Sequence, residues 1–232
     1  MLTAPRWRDA LDKAVGRPEN KGHSLYQLAT VDAKGIPRVR TVGYREIIQP
    51  TDCPHLPIVL NITDIRTPKV AEMRARPHVE ICWWLSGSLE QFRMSGPVRV
   101  ISSPQAESGA GGLETPLLAI DTMTVQEFDW EKKRQEEFNN LPPFMRATWC
   151  KPQPASALGA YEEAKTWPQT LPKLGEAESE EDKRNQELAL RNFALILIEV
   201  TEVDWVQVGT KPHQRTRFVR EGEEWSESII VP

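Results

Sequence analysis

The chain is poor in the residues that build metal centres and disulfide frameworks. It has only three cysteines and four histidines in 232 residues. Cys53, Cys82 and Cys150 lie far apart with no CxxC pair, so they read as reduced thiols. His23, His55, His78 and His213 show no HExxH or similar spacing, and no metal is expected. A GxGxxG fingerprint is missing, which removes support for a Rossmann dinucleotide fold. Nothing has the makings of a nucleophilic triad. The longest apolar run, Phe193 to Ile198, is far too short to span a bilayer. No apolar segment followed by a small-residue cleavage site marks a secretory signal near the first residues. The formal charge of −4 argues against a generally basic nucleic-acid binder. By these absences the expectation is a cytoplasmic protein with no membrane and no nucleic-acid partner.

Hydrophobic residues make up 39% of the chain, enough for a sizeable core despite a negative mean hydropathy. Trp7, Leu11 and Val15 recur at helical spacing behind Thr3, a candidate cap, and Pro5. Strand-like runs follow at Ser24 to Thr30 and Arg38 to Ile47, joined by Asp32-Ala33-Lys34-Gly35, and this reads as a hairpin with Gly35 in the turn. Further strands are predicted at Ile58 to Ile62, Val79 to Leu85 and Gln91 to Ser102, with a short helix opened by Thr67-Pro68. Pro104 to Trp149 reads as helix and loop, Lys151 to Pro172 as irregular, and Glu176 to Arg191 as a solvated helix or loop. β character returns at Phe193 to Val200, Asp204 to Val208, Thr216 to Arg220 and Trp225 to Val231. Many short strands around a helical excursion predict a mainly β protein with α additions (α+β), an antiparallel barrel with peripheral helices. One domain is expected over 1–232, with a helical and loop insertion at about 104–191.

Four segments concentrate polar groups near strand ends. Alternation along Arg38 to Val42 puts Arg38 and Arg40 on one face, where two guanidinium groups could grip a phosphate, or simply meet solvent. Thr63 to Lys69 runs from a strand end into a helix start. Free N–H groups there favour an anion, and Arg66, Thr67 and Lys69 add donors; ordinary capping would use the same threonine. Trp84 and then Gln91 follow on adjacent strands, and a glutamine can bond both edges of a heteroaromatic ring. Trp83 and Trp84 point to opposite faces, so at least one belongs to the core. The fourth segment pairs Trp205 with Lys211 to Arg215, including His213, whose ordinary pKa suits proton transfer.

In this order the segments resemble the pyridoxamine 5′-phosphate oxidase family, in its divergent flavin-binding branch, from about Leu25 onward. Gly35-Ile36-Pro37 precedes Arg40-Thr41-Val42 where that family has a Gly-x-Pro turn and an Arg-x-Val strand. Arg45 stands in place of a lysine near flavin and substrate. Thr63, then Thr67-Pro68-Lys69, match a strand-ending Thr and a Ser-Arg-Lys helix start. Pro68 removes one phosphate ligand there, for which Arg66 is a candidate substitute. Trp84, then Gln91 to Gly96, match a Trp followed by Arg-Gln-x-x-x-x-Gly, with Glu90 in place of the Arg. Arg146-Ala147-Thr148-Trp149, then Gln153, match an Arg-x-x-Trp-x-x-x-Gln, and Trp205 with His213-Gln214-Arg215 matches the late Trp and His-x-Arg.

The resemblance implies an antiparallel split barrel holding FMN. The phosphate would lie at Arg40, Arg66, Thr67 and Lys69, and the ring against Gln91, Gln153, Trp205 and Arg215, with Thr41, Val42, Arg45 and Thr63 also in the site. His213 and Arg215 become the candidates for handling a small-molecule substrate, and a homodimer with FMN at its interface is implied. The substrate half departs from the family. Glu136 to Phe144 lacks the Tyr, Arg and Ser that hold the substrate phosphate, and Lys211-Pro212-His213 replaces Arg-Leu-His. The implied function is therefore an FMN-dependent oxidoreductase with an altered substrate site. A non-catalytic flavin-binding or flavin-sensing protein is the alternative, and heme or F420 on the same barrel ranks below both.

Overall fold

The computed structural model describes residues 2–104 and 116–232. The part of the expected insertion at 105–115 lies outside the described residues. The elements run α1 (Arg6–Val15), β1 (Leu25–Val31), β2 (Pro37–Gly43), β3 (Glu46–Ile48), β4 (Ile58–Asp64), α2 (Pro68–Ala75), β5 (His78–Leu85), β6 (Glu90–Ile101), α3 (Leu118–Val125), α4 (Trp130–Asn139), α5 (Pro143–Arg146), α6 (Glu180–Asn192), β7 (Phe193–Glu199), β8 (Glu202–Gln207), β9 (Gln214–Glu221) and β10 (Glu224–Ile229). Every strand pairing is antiparallel. The strands form one open system with the fold of a split barrel, mixed α+β as expected.

Strand β6 organises this system. Its first half, Glu90 to Ser95, lies between β5 and β8 in the large sheet β10-β9-β8-β6-β5-β1-β2. Its last residues, Val98 to Ile101, pair instead with β7, which pairs with β4 and through it with β3. The strand changes sheets at Gly96. A Cβ built there would lie 1.8 Å from the Glu199 carbonyl oxygen, so only glycine lets the two backbones pass.

Sheet alternation then sorts the apolar side chains. Val59, Ile196 and Ile198 face a core shared with Trp7, Leu28, Trp83, Phe92 and Phe218. Ile58, Leu60, Leu195 and Leu197 face a second core with Ile120, Phe138, Trp149 and Ala189 from the helical segments. Strand β7 is covered on both faces, which is why its sequence is apolar without alternation.

Two local expectations change. Thr3 does not cap α1; Pro5 occupies that position without a side-chain bond. The run Arg38 to Ile47 is broken at Tyr44 and Arg45 into β2 and β3, which join different sheets. The hairpin turn is as expected, with Gly35 at φ +82° and its N–H donating to Asp32.

Candidate functional site

A cluster of charge forms where β4 runs into α2. Pro68 opens the helix and Thr67 precedes it in extended backbone, but the Thr67 hydroxyl does not cap the helix. It donates instead to the Asp64 carbonyl at 2.8 Å and lies 3.3 Å from the Thr63 hydroxyl. The first turn therefore keeps its positive end uncompensated by a capping oxygen. Arg40 reaches in from β2, donating to the Leu28 carbonyl at 3.2 Å, to the Thr30 hydroxyl, and to Glu72 of α2 at 2.8 Å. Arg66 folds back on Asp64 with contacts of 2.9 and 2.6 Å, so its charge is shared with that carboxylate.

Lys69 differs from its neighbours. It is half-buried and has no ion-pair partner among the described residues. Burial, and then the nearby Arg40, pull its pKa down to about 8, with Asp64 and Glu72 opposing them. A half-buried lysine beside Arg40 could seat an anion.

Around this cluster the helical segments close in. Trp149 donates its indole N–H to the Thr63 carbonyl at 3.0 Å, and Asn192 donates to the Trp149 carbonyl at 2.9 Å. Gln153 follows on an exposed loop, where its backbone carbonyl accepts from the Ser156 hydroxyl at 2.7 Å. Arg45 sits between the sheets with its Nε buried and unbonded. Burial lowers its pKa, with Glu137 opposing.

A second group lies on the outward face of the large sheet. Cross-strand register places Gln91, Arg93 and Ser95 of β6 beside Val206, Asp204 and Glu202 of β8, and places Val206 opposite Arg215 of β9. Arg215 donates to both Asp204 oxygens, at 3.0 and 2.7 Å, and Arg93 reaches the same carboxylate. Burial raises the Asp204 pKa, but the Arg215 and Arg93 hydrogen bonds outweigh it and hold the carboxyl below its usual range. Glu80, Arg93, Ser95, Glu202 and Asp204 line a depression of about 170 Å³ there. The same face carries exposed Leu25, Val39 and Trp84.

Strand parity separates residues that the sequence grouped. Thr41 is exposed on the outward face, while Val42 and Trp205 point inward. Trp205 is buried, stacks on Phe92 at 5.5 Å and donates to Glu90 at 2.9 Å. It thus lies on the opposite side of the sheet from Gln91 and Arg215. Glu90, the charge reversal, faces the core and pairs with Arg17. His213 is exposed in the β8–β9 loop, its Nδ1 3.1 Å from the Thr210 carbonyl. Three members of these clusters were missed: Glu72, Asp204 and Arg93. Asp204 and Arg93 could have been found by extending the alternation used for Arg38 and Arg40 to β6 and β8.

Comparison with known proteins bears on residues 4–102, which match the family model described as pyridoxamine 5′-phosphate oxidase, FMN-binding domain. The chain is 37% identical over 98 residues to pyridoxine/pyridoxamine 5′-phosphate oxidase 2 of Arabidopsis thaliana, a match covering 42% of this chain and 47% of that protein. The chain thus spans about half the length of that relative. Among solved structures, a pyridoxamine 5′-phosphate oxidase-related, FMN-binding protein of Nostoc punctiforme superimposes with a TM-score of 0.71 at 24% identity, covering 100% of both chains. PhzG of Burkholderia lata superimposes with a TM-score of 0.53 at 15% identity, over 98% of this chain and 89% of that one. At these identities the structures speak for the fold.

Proposed function

Because residues 4–102 belong to the pyridoxamine 5′-phosphate oxidase FMN-binding domain family, we propose that the chain is an FMN-dependent oxidoreductase with a substrate site unlike that of the vitamin B6 enzyme. FMN is the cofactor this membership implies, and the β4–α2 cluster fits its phosphate. Arg40, Arg66 and Lys69 against Asp64 and Glu72 leave one net positive charge, added to the open end of α2. The observation that carries the reading is Lys69, a half-buried cation without a counter-ion. Lys69, Arg40 and the Thr67 hydroxyl would hold the phosphate, and bound FMN would supply hydride or two-electron chemistry.

The ring-facing groups are Gln91, Arg93 and Arg215 on the outward sheet face. That face is open in the single chain and bordered by exposed apolar residues. A second copy packed across it would exclude water from the ring, and this supports a homodimer with an isologous interface. Arg215, fixed by Asp204, would orient a small organic substrate. His213 would handle a proton from the adjoining loop. Pyridoxamine 5′-phosphate is a poor candidate substrate, since Glu136 to Phe144, at the α4–α5 junction, offers no Tyr, Arg and Ser to its phosphate. The second reading, flavin binding without turnover, draws on the pairing of both Arg93 and Arg215 with Asp204, which leaves neither free for a substrate.

The absorbance of the purified protein tests the cofactor. Flavin bands released as FMN on denaturation are expected; a colourless protein that takes up no added FMN sinks both readings. Reduction by NAD(P)H followed by oxygen consumption separates enzyme from binder.

A further inference from the structure

Away from the flavin region, a groove of about 580 Å³ opens between the segment leading into α1 and the β9–β10 hairpin. It shares no lining residue with the β4–α2 cluster or with the depression around Arg93 and Asp204. Its volume falls in the range of small-molecule sites. His55 lines it, only 5% exposed, and neither ring nitrogen has a hydrogen-bond partner. The His55 backbone is tied to the groove wall, since Trp225 donates its indole N–H to the His55 carbonyl at 2.7 Å. The His55 Nε2 faces the Glu223 carboxylate at 3.9 Å, too far for a hydrogen bond. A buried imidazole with both nitrogens unsatisfied is a cost that a bound partner would relieve.

The other charges identify that partner. Asp9, Glu223, Glu224 and Glu227 line the groove, and among the described residues the only Lys or Arg that lines it is Arg6, which is bound to Glu227. Three carboxylates are thus left without a cation among the lining groups, which excludes an anionic ligand. No group of three His, Cys, Asp or Glu among the described residues could hold a metal ion. Trp225 supplies an aromatic wall against which a cation is stabilised, while the Phe218 ring is already covered by the Arg6 guanidinium at 5.4 Å. We propose that this groove binds a small organic amine. Its ammonium would donate to Nε2 of His55 and to Glu223, and its apolar body would lie against Trp225. The proposal is independent of the flavin reading.

The test uses the full-length protein with phenethylamine as probe, and 3-phenylpropionate and 2-phenylethanol as anionic and neutral counterparts. Binding is followed by calorimetry and by the indole N–H resonance of Trp225. Phenethylamine is expected to bind and shift that resonance, with the other two at least about tenfold weaker. Glu223→Gln, at an exposed side chain, should weaken the amine about tenfold and leave flavin content unchanged. His55→Leu should abolish amine binding while the fold, read by melting temperature, is kept. Equal binding of all three probes, no binding of phenethylamine, or full binding by Glu223→Gln overturns the proposal.

Discussion

The two halves of the proposed flavin site are built differently. The phosphate half is local: Thr63, Arg66, Thr67 and Lys69 fall within seven residues, and only Arg40 comes from elsewhere in the chain. It is partly desolvated, and one of its cations is left without a partner. The ring half is spread over β6, β8 and β9, lies on an open sheet face, and has both of its arginines paired to Asp204. A local cluster at a helix start can be preorganised by one chain, because the backbone fixes its donors. A flat sheet face cannot enclose a ring alone. On the proposed assignment, one chain by itself makes a finished anion seat and an unfinished ring seat.

The two halves are joined by β6, and the largest effect is expected from breaking that join. Gly96→Ala would drive a methyl into the Glu199 backbone, with the Thr201 nitrogen 3.2 Å away. Backbone cannot yield as a side chain tip can, so a loss of about 3 kcal/mol or more is expected. Thermal unfolding of the apo protein measures it. An unchanged melting temperature would mean that the crossing between sheets is looser than drawn.

The next effect tests whether the ring half is completed by a second copy. Trp84 is 41% exposed, while its neighbour Trp83 is wholly buried. Trp84→Glu leaves the core untouched and puts a charge where a partner would pack. Self-association is expected to weaken about a hundredfold, by sedimentation velocity across a dilution series. If wild type is monomeric at every concentration, the outward face has another use.

Direct comparison of the halves comes from Lys69→Ala and Arg215→Ala. Removing Lys69 should weaken FMN binding by about tenfold to a hundredfold, as expected for a charge-assisted contact to phosphate. Removing Arg215 should cost only a few-fold, because it leaves Arg93 to take over Asp204. Quenching of flavin fluorescence on titration gives both constants. A larger loss from Arg215 than from Lys69 would invert the assignment of finished and unfinished halves.

The same difference governs what could be read from residues in order. The cluster proposed as the phosphate half was legible as a cluster because its members are neighbours in sequence and a Thr-Pro pair announces a helix start. What was missed there, Glu72, sits one turn into α2 and acts through Arg40 on another strand. Apart from the Arg38 to Ile47 run, the strand ends were placed within about two residues, since alternation and turn residues are local signals. The break at Tyr44 and Arg45 was not, because it reflects a change of sheet, which depends on partners distant in the chain. Trp205 shows the limit most clearly. Spacing to Arg215 says nothing about parity, and two residues ten positions apart on neighbouring strands can face opposite sides. Only the register Phe92 to Trp205 sends the indole into the core.

The smallest effect is a pH dependence, and its sign follows from Lys69 alone. In the apo protein its pKa lies at about 8, against an ordinary value of 10.5, because burial and Arg40 disfavour the charge. Between those two values the unfolded chain holds a proton that the folded chain has released. Apo stability should therefore rise with pH across that window, and gain nothing from Lys69 below it. Binding of a phosphate reverses the balance. The anion favours the charged lysine, raises its pKa, and draws in a proton as it binds. FMN affinity should then fall as pH rises through about 8, by at most tenfold per pH unit. Lys69→Met removes the titrating group, so its weaker affinity should be flat over the same range. Titrations of both proteins from pH 7 to about 9.5 isolate the lysine by difference. A wild-type affinity as flat as that of the variant would show that the phosphate does not meet Lys69, and the anion seat would have to be moved toward Arg40 and Arg66.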